Sequence, residues 1–264
     1  MTVVAAATWG VSTAALAIVL TTCATGAPTG HQNVTLDTDV LVRAHPLTLH
    51  LSLTPQHPTD PLIVYATGDG GWFGDDKALF DELVAWGYPV AGFSARDYVK
   101  HLGDGVNAIS VSEMAADFAA VIRAAKAALN LPAVTRVVLV GKSRGAGLEV
   151  AVASQEPVKS RLRGVIAIAL TREEEYASIP SPEDGKPTML LTYPALPPIG
   201  DVPVAVIQST HDDYIPAAEA RDLFGPDTAS RTLRPVESSG HNFEGGVPAL
   251  YREMTKCFEW ILHQ

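Results

Sequence analysis

A mostly parallel β-sheet covered by helices on both faces is the fold this sequence predicts, on three observations. Short, largely apolar runs such as Pro61–Ala66 (PLIVYA), Arg136–Val140 (RVVLV) and Gly164–Leu170 (GVIAIAL) read as strands buried on both faces. Stretches with apolar residues at helical spacing alternate with them. Glycine-rich turns sit where a strand gives way to a helix. That alternation is the pattern of an α/β domain.

The elements follow in order. Val34–Val42 and Leu47–Leu53 alternate apolar and polar residues, as two antiparallel strands at a sheet edge do. After the strand Pro61–Ala66, the amphipathic segment Lys77–Trp86 closes at Gly87, and Tyr88–Phe93 is the next strand. Ser112–Asn130 is a helix, with Ser110 or Ser112 as its N-cap. Arg136–Val140 leads into a helix over Ala146–Ser154. Gly164–Leu170, Val202–Gln208 and Arg231–Pro235 complete the strands, while Ala217–Phe224 and Val247–Leu262 complete the helices. The chain of 264 residues holds one such domain over 34–264, preceded by a leader and linker over 1–33.

The leader differs in kind. No charged side chain occurs from Met1 to Leu20, and Ala14–Leu20 is a compact apolar run followed by small residues. This reads as a secretory signal, and Leu20-Thr21-Thr22-Cys23 is similar to a lipoprotein cleavage box, so export and a lipid anchor on Cys23 are expected. The competing reading is a misassigned start codon. If Cys23 is cleaved off or acylated, Cys257 has no cysteine to pair with. A net charge of −10 argues against nucleic acid as a partner. No Cys/His cluster at metal-ligand spacing and no phosphate-cradling Gly-rich loop ending in Lys-Ser/Thr occurs, so no metal or other cofactor is called for.

Gly141-Lys142-Ser143-Arg144-Gly145 carries the chemistry. It fits G-x-S-x-G, with an apolar strand directly before it and a helix directly after. That context defines a nucleophile elbow, a strained turn flanked by small residues that lifts the serine oxygen above the sheet. It also aims the N–H of the following residue, Arg144, at the oxyanion of a tetrahedral intermediate. The α/β-hydrolase fold follows from these features.

A serine hydroxyl needs a base held by a carboxylate, and in this fold the chain order is Ser, acid, His. The loop after Val202–Gln208 offers Asp212 as the acid and Asp213 as its rival. His241, after Gly240 in a late loop before the last helix, is the base; His211 competes but lies too near the acid to be oriented by it. Thr67-Gly68-Asp69-Gly70-Gly71-Trp72 forms the first strand-to-helix corner, where the N–H of Asp69 or Gly70 is placed to complete the oxyanion hole. The stretch between Ser143 and Asp212 leaves no room for a large lid domain. Thr171–Asp201 is the one candidate flap, and its Glu173, Glu174 and Glu175 either meet a substrate amine or form a solvated face.

Gly68-Asp69-Gly70-Gly71-Trp72, Asp76-Lys77, Trp86-Gly87-Tyr88-Pro89-Val90, the elbow with Ala146, and Gly240-His241 together resemble the AcvB/VirJ family of exported bacterial proteins. The resemblance implies a periplasmic α/β-hydrolase with Ser143, Asp212 and His241 as its triad. It also implies hydrolysis of the aminoacyl ester of an aminoacylated phosphatidylglycerol, or a role tied to virulence and secretion. The family's elbow usually carries an aromatic pair beside the serine, where this chain has Lys142 and Arg144. Those two cations either attract an anionic headgroup or pair with nearby carboxylates such as Asp69 or Asp75. Lys142 and Trp72 are thus candidate substrate contacts, and a peripheral or lipid-anchored membrane contact is expected. A soluble-substrate carboxylesterase or thioesterase and a non-catalytic accessory protein are the alternatives.

Overall fold

The structure, a computed structural model, describes residues 34–53, 56–57, 60–102, 109–180 and 187–264. The leader over 1–33, with Cys23, lies outside the described residues. Strands β1 (Val34–Val42) and β2 (His45–Leu53) form an antiparallel hairpin whose turn, Arg43-Ala44, takes positive φ at both residues. From there the chain alternates through β3 (Leu62–Ala66), α1 (Gly74–Ala85), β4 (Val90–Phe93), α2 (Ala95–Val99), α3 (Val111–Ala128) and β5 (Val137–Lys142). It continues through α4 (Arg144–Ala153), α5 (Glu156–Lys159), β6 (Leu162–Ile168), β7 (Glu173–Pro180) and β8 (Pro187–Leu191). The last elements are β9 (Val204–His211), α6 (Ala217–Phe224), β10 (Arg231–Ser239) and α7 (Val247–Leu262).

Eight strands form one sheet in the order β1-β2-β4-β3-β5-β6-β9-β10. Pairing is antiparallel from β1 to β4 and parallel from β4 onward. Strands β3, β4 and β5 are buried at every position because alternate residues feed two cores. Leu62, Val64, Val137 and Leu139 face the core with Met114 and Phe118 of α3, Leu148 of α4 and Phe224 of α6. Ile63, Tyr65, Val138 and Val140 face the core with Leu79 and Leu83 of α1 and with Met254, Phe258 and Ile261 of α7. Burying a side chain of this size contributes roughly 1.5–3 kcal/mol, so these two layers supply the rigidity the site rests on.

Two boundaries differ from expectation for physical reasons, and at a third the structure selects between two offered caps. Helix α1 begins at Gly74, ahead of Lys77, which puts Asp75 and Asp76 in its first turn where the helix dipole favours acids. Strand β10 runs past Pro235 because it is an edge strand and needs no N–H there for a second neighbour. Ser110 caps α3 in a capping box with Glu113. The stretch expected to be an irregular flap holds the β7–β8 hairpin and two short 3₁₀ turns, and no lid domain occurs among the described residues.

Candidate active site

Ser143 ends β5 and starts α4 with φ 50° and ψ −117°, a conformation costly for a residue with a side chain. The two flanking glycines explain how the turn is tolerated. A Cβ on Gly141 would lie 2.5 Å from the Ala146 nitrogen, and one on Gly145 would lie 2.2 Å from the Ala66 carbonyl oxygen. No other residue fits either place. The elbow is tied down by Ser143 N–H to the Ile168 carbonyl (2.8 Å) and Gly145 N–H to the Thr67 carbonyl (3.1 Å).

The hydroxyl of Ser143 lies 2.8 Å from Nε2 of His241, and Nδ1 of His241 lies 2.8 Å from Oδ2 of Asp212. With the proton on Nδ1, that nitrogen donates to Asp212 and Nε2 accepts from the serine. Asp212 is 2 % exposed. Its Oδ1 accepts from the N–H groups of Tyr214 (2.8 Å) and Ile215 (3.2 Å), and its Oδ2 also accepts from Nε2 of Gln208 (2.9 Å). The carboxylate is thereby fixed in one orientation. His241 sits in the loop after β10, which Phe243, fully buried, anchors to the core. The ring of Tyr214 packs edge-on against His241 at 4.7 Å.

Of the two candidate acids, Asp212 is the one brought to the histidine, and Asp213 is exposed. His211 is also exposed and turns toward Thr210 and the Ser238 carbonyl. In the glycine-rich corner, Gly71 N–H bonds the Gly68 carbonyl (3.1 Å), so Asp69 and Gly70 are the central residues of a tight turn. A Cβ on Gly68 would lie 3.5 Å from Cβ of Ser143. Arg144 is the first residue of α4, where a backbone N–H has no partner inside the helix.

The two cations beside the serine are both committed. Lys142 is buried and pairs with Asp76 at 3.9 Å, which corrects its expected contact with substrate. The earlier start of α1 turns Asp76 inward, in place of Asp69 or Asp75, as the partner. Asp76 also accepts from Gly68 N–H (2.8 Å) and the Tyr65 hydroxyl (2.9 Å), so it braces the glycine corner from below. Arg144 forks onto the Asp69 carboxylate and donates to the Glu175 carbonyl. Trp72 also departs from expectation: its ring stacks on His50 at 3.8 Å and lies over Gly92 on β4, two strands from β5. Its large apolar face is used in packing.

Sequence reasoning passed over Gln208 and Tyr214, met Asp76 only within the Asp76-Lys77 motif, and left Glu174 between a substrate contact and a solvated face. Gln208 left a signal, being the one amide in the apolar run Val202–Gln208, four residues before Asp212. Glu174 is buried, accepts from Thr171 Oγ1 at 2.6 Å, and its carboxyl is pushed above the usual range by that burial. The solvated-face reading therefore fails for Glu174, while Glu173 is exposed.

Several solved structures share this architecture. Est1E from Butyrivibrio proteoclasticus is 13 % identical with a TM-score of 0.60, covering 86 % of this chain and 99 % of its own. A dienelactone hydrolase from Anabaena variabilis is 17 % identical with a TM-score of 0.63, covering 88 % and 99 %. Naproxen esterase from Bacillus subtilis is 14 % identical with a TM-score of 0.57, covering 86 % and 92 %. Identities this low speak for the α/β-hydrolase fold alone. A search of curated protein sequences returned no match. The profile of the bacterial virulence protein (VirJ) family matches residues 60–259, a span that holds the glycine corner, the elbow, Asp212 and His241, and this chain belongs to that family.

Proposed function

We propose that the protein is a serine hydrolase acting on carboxylic esters. The observation that carries this reading is the hydrogen-bonded series Ser143–His241–Asp212, with both links at 2.8 Å and the serine on a strained elbow. Nε2 of His241 takes the hydroxyl proton as Ser143 Oγ attacks the ester carbonyl, and Asp212 stabilises the imidazolium that forms. The N–H of Arg144 holds the oxyanion. The second N–H is that of Asp69 or Gly70, the central residues of the turn whose Gly68 lies against Ser143. His241 returns the proton to the leaving alcohol, and water then releases the acid by the same steps in reverse.

For the substrate we propose the aminoacyl ester of an aminoacylated phosphatidylglycerol, met at the periplasmic membrane surface; family membership and the motifs shared with the AcvB/VirJ proteins support this reading. Export, with an anchor on Cys23, belongs to the same proposal. The test is to incubate the protein with lysyl- and alanyl-phosphatidylglycerol and p-nitrophenyl acetate, beside Ser143→Ala, and to label both proteins with a fluorophosphonate. Release of amino acid and labelling of Ser143 are expected, with Ser143→Ala unlabelled and its kcat down by about 10³-fold or more. Turnover of the small ester alone would sink the lipid substrate, and an unlabelled serine would sink the hydrolase.

A further inference from the structure

We infer that Arg96 is the anchor for an anionic group, phosphate or carboxylate, on the ester substrate. This rests on the ester-hydrolase reading and names the charge its substrate carries. Neither cation beside the nucleophile is free to hold such a group, since Lys142 is buried against Asp76 and Arg144 is forked onto Asp69. Arg144 also donates to the Glu175 carbonyl, so its guanidinium is fully engaged. Arg96 differs. It is exposed, and among the described residues it makes no ion pair or side-chain hydrogen bond. Its neighbour Asp97 is taken by Lys100 at 2.6 Å and gives its backbone N–H to Ser94.

Its position joins it to the reaction centre. Arg96 lines a cleft of about 300 Å³ with Asp69, Val99, Lys100, Arg144 and Glu175, two of which, Asp69 and Arg144, lie in the turns that flank Ser143. The path from the serine is one glycine turn. A Cβ on Gly68 would lie 3.5 Å from Ser143 Cβ, and one on Gly71, at the far end of that turn, 3.7 Å from Cδ of Arg96. An ester held at Ser143 thus reaches the guanidinium only through a substituent some atoms from its carbonyl. A guanidinium offers a planar fork of N–H donors that fits two oxygens of a phosphate or carboxylate.

Two matched pairs of esters test this on the full chain. In 1-butyrylglycerol and its 3-phosphate the charge lies on the alcohol side; in p-nitrophenyl butyrate and p-nitrophenyl hemisuccinate it lies on the acyl side. The wild type should prefer the anionic member of at least one pair. Arg96→Glu should cut that preference by about 10- to 100-fold, chiefly through KM, with Arg96→Lys intermediate. No preference in either pair, or one unchanged within about twofold in Arg96→Glu, overturns the proposal. Long-chain phosphate esters in vesicles, run beside the soluble ester, separate a lipid headgroup from a free phosphate ester; dependence on Arg96 in either form supports the subsite. If none of these esters is turned over, fluorophosphonate labelling judges the hydrolase reading, and calorimetry on Ser143→Ala decides the subsite. Binding of 1-butyrylglycerol 3-phosphate that Arg96→Glu abolishes supports it; no binding, or equal binding, removes it.

Discussion

Two ion pairs flank the same serine, and they are built on opposite principles. On one side Lys142 meets Asp76 with side chains 6 % and 7 % exposed. On the other Arg144 meets Asp69 with side chains 15 % and 62 % exposed. The buried pair holds structure: Asp76 satisfies an ammonium, the Gly68 N–H and the Tyr65 hydroxyl at once. Burial, reinforced by the negative charge of Asp76, pushes the Tyr65 phenol well above its usual range. The outer pair sits at the rim of the cleft, in contact with water, where its charges are screened. Adjacent cations in one motif therefore have no shared role. Lys142 ends a strand and points into the protein, whereas Arg144 starts a helix and points along the cleft.

Asp76 is where the inner pair is most vulnerable. Replacing it by alanine strands a buried ammonium, a backbone N–H and a phenol, and should cost about 3–5 kcal/mol in urea unfolding. Adding Lys142→Met to that variant should recover much of the loss, because the orphaned charge is what destabilises. A single Asp76→Ala that unfolds like the wild type would refute the bracing role. Loss of fluorophosphonate labelling in the stable double variant would show that Asp76 also shapes the glycine corner.

Glu149 extends the contrast as a buried carboxyl without any cation. It lies on α4, is fully buried, and neither carboxyl oxygen has a hydrogen-bond partner among the described residues. Burial therefore pushes its pKa well above the usual carboxylate range. The folded state then holds a proton that the unfolded state releases above about pH 4.5. Stability from this group is complete below that value and falls as pH rises toward the raised folded pKa, by up to about 1.4 kcal/mol per pH unit. Glu149→Gln does not titrate, so it should gain on the wild type steadily between about pH 5 and 8 in parallel denaturation curves. Curves that stay parallel across that range would mean the carboxyl is not held neutral.

Much of this was legible in the sequence because the demands are steric or follow chain order. Gly141 and Gly145 are required by backbone atoms within 2.5 Å of where a Cβ would be, so the elbow is written in the letters themselves. Asp212 and His241 follow from their loops at the ends of β9 and β10. The partner of Lys142 was not legible, because choosing among Asp69, Asp75 and Asp76 depends on where α1 starts, and its first turn contains no apolar periodicity. Glu174 was hidden among three identical residues whose alternation only the hairpin reveals. Arg96 lies on a five-residue helix too short to leave a periodic signal.

The smallest effect belongs to the outer pair, and salt is the probe that separates it from the inner one. Asp69→Ala removes a carboxylate that is mostly in water, so it should cost no more than about 1 kcal/mol, and less in 1 M salt than at low ionic strength. The cost of Asp76→Ala should persist at both, since ions do not reach a buried pair. The side chain of Asp69 also holds the Arg144 guanidinium, so its loss loosens the residue whose N–H is proposed to meet the oxyanion. The small drop in stability should therefore come with a larger drop in kcat than in KM. A salt-independent loss of several kcal/mol on Asp69→Ala would put both pairs in the same class and leave the elbow's two sides with one shared role.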